Sequence, residues 1–206
     1  MYIIMDTKKR SYEMRARKES AAATYNAIVQ AAIDAVAAKR SLSITLGSVA
    51  DRAGVTVKTV LRHFGSRDAL VNAAWSQALQ DVMVERSAPP GDPPRALAVL
   101  IEHYERRGDM ALGLLAEEDK DPRARKMCDS GRLEHRRWVE DVFDAGLPVK
   151  AVERSRLIDA LVVATDVYSW KLLRRDRDLS VDDVRDRMLL MTGAVLAVPA
   201  KGSAPQ

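Results

Sequence analysis

Thr45-Leu-Gly-Ser-Val-Ala-Asp-Arg-Ala-Gly-Val-Thr-Val-Lys-Thr-Val-Leu-Arg-His-Phe-Gly-Ser-Arg-Asp-Ala-Leu70 is the stretch whose reading decides the fold. It reads as two short helices joined by a tight turn, with a third beginning just after. Thr45 can cap the first helix, its hydroxyl accepting a backbone N–H that has no partner inside the helix. Val49 and Ala50 follow one turn later, on the face that must meet the next helix. The small Ala50 side chain lets two helices cross closely. Gly54 sits where the chain has to turn, and glycine takes a positive φ there without steric cost. Thr56 can cap a second helix running from about Val57 to Phe64. Val60 and Phe64, four apart, share its inner face, which leaves Lys58, Thr59, Arg62 and His63 on the outside.

That is the plan of a helix-turn-helix, in which the second helix enters the major groove of DNA. Ala50, Gly54 and Val60 carry it at the spacing Ala-x3-Gly-x5-Val, and Phe64-Gly65-Ser66-Arg67-Asp68-Ala69-Leu70 extends it, with Ser66 able to cap a further helix. Together these residues resemble the DNA-binding domain of the TetR family of bacterial transcriptional regulators. The family pattern runs roughly Thr-x3-Ile-Ala-x2-Ala-Gly-Val-Ser-x-Gly-Thr-Leu-Tyr-x-His-Phe-x-Ser-Lys-Glu-x-Leu. The chain supplies Thr45, Val49-Ala50, Ala53-Gly54-Val55-Thr56, Thr59-Val60, His63-Phe64, Ser66-Arg67-Asp68 and Leu70. The resemblance spans about residues 20–85. It departs at two places. Lys58 stands where the family has glycine, adding a cation. Leu61 stands where it has a tyrosine that commonly contacts phosphate, and Arg62 next to it could partly replace that contact.

Charge placement agrees. The net charge of +4 is uneven: residues 1–70 carry 12 Lys/Arg against 6 Asp/Glu, and residues 71–206 carry 21 against 23. The cationic surplus lies at the helix-turn-helix end, as a phosphate-binding surface requires. Nearly half the residues are apolar, enough for a packed core, and the abundance of Ala, Leu, Arg and Asp favours helix. One cysteine, Cys128, permits no intrachain disulfide, and no apolar run approaches the ~20 residues of a membrane span. The first residues are too short and too acidic for a signal peptide. A cytoplasmic protein is expected.

Along the chain, residues 1–20 read as a basic arm able to reach phosphates or the minor groove, or as a frayed solvated terminus. Ile28, Val29, Ala32, Ile33 and Val36 recur at helical spacing and predict a bracing helix over about Ala21–Lys39. Ser66 opens a rod to about Glu85, with Leu70, Ala74, Ala78 and Val82 on one stripe. Arg67 in its first turn opposes the helix dipole, which suggests that it serves an outside anion. Ser87–Pro94 holds four of the eight prolines and is the expected boundary between a DNA-binding domain, 21–86, and a regulatory domain, 95–199. Within the latter, helices are predicted over Arg95–Arg107, as a short apolar piece over Met110–Ala116, from Asp121-Pro122, from Pro148 through Leu172, and from Ser180. Residues 200–206 read as a loose tail.

The fold class expected is all-α: an N-terminal three-helix helix-turn-helix domain and a C-terminal helical ligand-binding and dimerisation domain, about nine helices together. The resemblance implies a homodimer through the last two helices, a pseudo-palindromic double-stranded operator and a small-molecule effector, hence a repressor released by that effector. The heptad-like spacing of the last helix supports a helix–helix seam, here or in the core. DNA-facing candidates are Thr45, Thr56, Val57, Lys58, Thr59, Arg62, His63 and Arg67. Of these, Lys58, Arg62 and Arg67 are placed on phosphates, and Thr56, Thr59 and His63 nearer base edges. Polar or aromatic residues on inward stripes are ligand candidates: Tyr104, His135, Trp138, Thr165 and Tyr168. No metal or cofactor is expected, since the three histidines are far apart in sequence and no phosphate loop or nucleophile motif is present. Rival readings are the same DNA-binding dimer without an effector, repressing or activating, and a helical-bundle enzyme or interaction protein with no DNA role.

Overall fold

In a computed structural model, the structure describes residues 4–87 and 91–198, and only the backbone for 4–11. The described residues are all-α, without strands. The helices are α1 (Ile4–Lys39), α2 (Leu46–Ala53), α3 (Val57–Phe64), α4 (Arg67–Glu85), α5 (Pro93–Glu117), α6 (Pro122–Phe143), α7 (Ala151–Thr165), α8 (Val167–Lys171) and α9 (Val181–Leu196). The chain divides into two compact units, Met1–Leu79 and Gln80–Gln206. That division falls ahead of the proline-rich loop, because the last residues of α4 are tied into the second unit.

In the first unit, Ile28, Ala32, Ile33, Ile44, Val49, Ala50, Val60, Leu70 and Ala74 are buried, so α1 braces the α2–α3 pair as the spacing predicts. Helix α1 begins at Ile4, however, and not near Ala21. Residues 4–20 form its first half and not a separate arm; residues 1–3 lie outside the described set. Nothing between 4 and 39 is Gly or Pro, and Ala, Glu, Lys and Arg dominate, so intrinsic propensity carries a solvated helix that has no apolar periodicity to announce it. It ends at Arg40, which takes φ 52°, the left-handed conformation usually given to glycine.

In the second unit, α5 packs against α6, α8 and α9, and α7 packs against α6 and α9. Residues 88–90 of the proline-rich loop, and the expected tail, lie outside the described residues. Asp92 caps α5, its carboxylate accepting from Arg95 N at 3.1 Å, with Pro93 at the first position. The predicted break between Arg107 and Met110 does not occur. Gly108 is buried inside one continuous helix because the ring of Trp170 lies on it; a Cβ there would stand 2.5 Å from that ring. Asp121 and Pro122 open α6 as predicted. Pro148 does not open α7, which starts at Ala151 after a 3₁₀ turn over Asp144–Gly146. The predicted long helix through Leu172 is broken at Asp166, whose extended backbone (ψ 155°) and carboxylate cap a new short helix, the latter accepting from Tyr168 N at 2.8 Å. A π turn, Leu172–Asp176, follows. It presents Arg174 to Glu105 at 3.1 Å and lays the Arg175 guanidinium 4.5 Å from the Trp170 ring centroid. Ser180 caps α9 through Asp183 N at 3.1 Å.

Candidate nucleic-acid interface

The outward face of α3 is built by its two ends and its one buried side chain. At the entry to α2, Thr45 Oγ1 accepts from Ser48 N at 3.1 Å while Thr45 N donates to Ser48 Oγ at 3.2 Å, a reciprocal capping box. Gly54 takes φ 66° and ψ 31°, and Val55 N reaches back to Ala50 O at 3.0 Å, turning the chain between the helices. Thr56 Oγ1 accepts from Thr59 N at 3.2 Å and caps α3. Val60 is wholly buried and fixes the rotation of the helix. That rotation exposes Val57, Lys58, Leu61 and Arg62 and leaves Thr59 and His63 half-buried. Lys58 and Arg62 carry their charges outward, with no ion pair to any described residue.

Phe64 closes the far end against Tyr25 of α1, the rings stacked 4.7 Å apart, and Tyr25 also meets His63 edge-on at 6.3 Å. Tyr25 lies outside the residues that the helix-turn-helix spacing picks out. It stands three residues before Ile28 and so at helical spacing from the bracing stripe, which is the signal that could have found it.

Arg67 is placed differently from the expectation. Its Nε donates to Ile44 O at 2.7 Å, and a second nitrogen donates to Leu42 O. Two of the five N–H groups of the guanidinium thus hold the loop between α1 and α2. It is a positioning residue for Thr45, the cap directly after that loop. Ser66 Oγ caps α4, accepting from Ala69 N at 3.1 Å.

The ligand candidates of the second unit are brought together in part. Tyr104 is buried and its hydroxyl donates to Thr165 O at 3.0 Å. Thr165 Oγ1 donates to Leu161 O at 2.7 Å and stands 3.1 Å from His135 Nε2. His135 stacks on Trp138, centroids 5.6 Å apart and 12° from parallel. Burial, then the charge of Arg86, hold the His135 imidazole down to about 3, so it is neutral at physiological pH. Tyr168 does not join them: the break at Asp166 puts it on α8, 50% exposed.

Two further groups were not legible in sequence. Arg86, just past α4, donates from one terminal nitrogen to His135 Nδ1 at 2.8 Å. Glu85 receives Arg107 at 2.7 Å and His103 at 3.2 Å. Hydrogen bonding by Arg107 brings Glu85 down to about 2, and burial brings His103 down to about 4. Neither residue lies on an apolar stripe, and the partners are 18 to 49 residues apart. Among the described residues no group of His, Cys, Asp or Glu is arranged to hold a metal ion, and no helix is long and apolar enough to cross a membrane.

A short helix, turned outward by a left-handed glycine and bearing cations with no ion pair among the described residues, gives the first unit the helix-turn-helix plan of a DNA-binding domain. Residues 28–74 match the family model for bacterial regulatory proteins of the tetR family. Two solved structures share the fold. One, from Rhodococcus sp., is named for the TetR family of transcriptional regulators: it is 19% identical, with 84% of this chain and 99% of that chain covered and a TM-score of 0.63. The other is a transcriptional regulator from Rhodococcus sp. Rha1, 18% identical, with 85% and 99% covered and a TM-score of 0.65. No curated protein matches the chain.

Proposed function

We propose that the protein is a homodimeric transcriptional repressor that a small molecule releases from its operator. The observation that carries the DNA-binding part is the outward presentation of Lys58 and Arg62 from a helix whose opposite side is locked by Val60. Lys58 and Arg62 take phosphates, and Thr59 and His63 lie nearer base edges. Thr45, Thr56 and Val57 stand at the helix starts, the two threonines already engaged as caps. A symmetric pair would set two such helices ~34 Å apart on a pseudo-palindromic operator. Support for the pair comes from large apolar side chains left in water on α7 and α9, Val163 at 67% and Leu190 at 70% exposure.

Support for an effector comes from the meeting of Tyr104, His135, Trp138 and Thr165 in the second unit. A ligand there would favour a state unsuited to the operator, a population shift. Helix α4, whose residues belong to both units, is the covalent route for it. The test is a gel shift of the purified protein on the DNA upstream of its own gene, with unrelated DNA as competitor. Binding that survives competitor, with one operator bound per two chains, supports the reading. Binding abolished equally by any DNA would refute it.

A further inference from the structure

The second unit holds a buried cation, Arg86, that no acid among the described residues bonds. The Arg86 guanidinium donates to a neutral imidazole, His135 Nδ1, at 2.8 Å and stands with Cζ 5.1 Å from the centroid of the Trp138 ring. Its Nε is buried and meets no acceptor among the described residues; the same is true of Trp138 Nε1. The acids close by are engaged elsewhere. Glu85 receives Arg107 and His103, Glu134 receives Arg137 at 2.6 Å, and Asp166 caps α8. His135 spends its other nitrogen on Thr165, and the Tyr104 hydroxyl goes to Thr165 O.

Two buried N–H donors without acceptors, one of them on a permanent cation, are costly to keep. The matching ligand group is a carboxylate, which carries the countercharge and oxygen lone pairs that both donors lack. The surroundings set the rest of the ligand: Trp138 packs against two apolar clusters, one that includes Leu97 and Ile101 and one that includes Val139 and Leu161. We propose that Arg86 and Trp138 Nε1 bind the carboxylate of an apolar organic acid, with the apolar side chains around Trp138 taking the acid's body. This rests on the reading of the second unit as effector-binding and gives that effector its chemistry.

The test titrates the full chain, without DNA, by calorimetry with benzoate and octanoate and with their uncharged counterparts, benzamide and octanol. At least one acid should bind once per chain, tenfold or more tighter than its neutral partner. Arg86→Met should abolish that preference while melting no lower than the parent. Trp138→Phe should weaken the acid severalfold and leave the neutral compound unchanged. Equal binding of acid and neutral partner, an unaltered preference in Arg86→Met, or no binding of either acid overturns the proposal. So does an Arg86→Met protein that melts lower and is restored by Arg86→Lys without acid binding, since the arginine is then a structural group. A parallel gel shift separates this from the repressor reading. Acid binding that leaves the operator complex intact refutes release but upholds the site; release by neutral compounds alone refutes the site but upholds release.

Discussion

Lys58 and Arg67 are cations nine residues apart in one motif, and their surroundings give them different work. Lys58 stands in water with no ion pair to any described residue. Lys58→Ala should therefore weaken binding to all duplexes alike, leave the melting temperature unchanged, and lower the slope of log K against log salt by about 0.9. An unchanged slope in a titration over salt would show that Lys58 points away from DNA. Arg67→Ala should instead loosen the loop that Ile44 and Leu42 anchor, costing about 3 kcal/mol or more as two hydrogen bonds to a charged donor are lost. Chemical denaturation reads that directly. The sequence marked Arg67 as unfavourable to the helix dipole, which is correct chemistry. Its acceptors, however, are 23 and 25 residues back on an irregular loop, where no periodic pattern points to them.

Helix ends were legible where a capping side chain or a glycine sets them. Thr45, Thr56, Ser66 and Ser180 all cap as their types predict, because the bond is local. Continuity was less legible, because it is decided by partners far along the chain. Gly108 looks like a break and is a contact. Gly108→Ala would drive a methyl group into the wholly buried Trp170, whose ring is pinned by Glu105 on Nε1 at 2.9 Å and by Arg175 over its face. A loss of about 2 kcal/mol or more is expected in equilibrium unfolding, at or above the middle of the usual cost of overpacking. Gly54→Ala meets nothing within 4 Å, so its cost is that of φ 66° alone, about 1–2 kcal/mol. Of the candidate ligand residues, four were legible as inward polar groups. Tyr168 failed because the stripe was drawn through a helix that Asp166 ends.

For the whole molecule, two outcomes follow from what is buried and what is not. If α7 and α9 face a second copy, Leu190→Arg should give a monomer by sedimentation and a much weaker operator complex, while leaving each chain folded. Acid sensitivity follows from the buried histidines. His135 titrates near 3 in the folded chain against an ordinary 6.5, so the unfolded chain holds more protons between those values. Its contribution is full above pH 6.5 and is lost progressively as pH falls towards 3. His103, brought down to about 4, acts in the same direction between 6.5 and about 4, and Glu85, brought down to about 2, does so below 4.5. Unfolding free energy should fall on acidification below about 6.5. In His135→Gln the slope between pH 4 and 6 should be shallower by about one proton, on the order of 1 kcal/mol per pH unit. An identical slope in parent and variant would show that His135 titrates normally.

The wide turn at Leu172–Asp176 has a consequence for how this chain compares with its cousins. A helix that closes there with one residue more than usual can lose that residue and still close, as an ordinary turn. A cousin shorter by one in this stretch would bring its second arginine round to where Arg174 now points, leaving none over the indole. Length differences of a single residue should therefore gather here, and they should travel with the loss of an acid at position 105 or 109, since only one of the two would still have a cation to answer it.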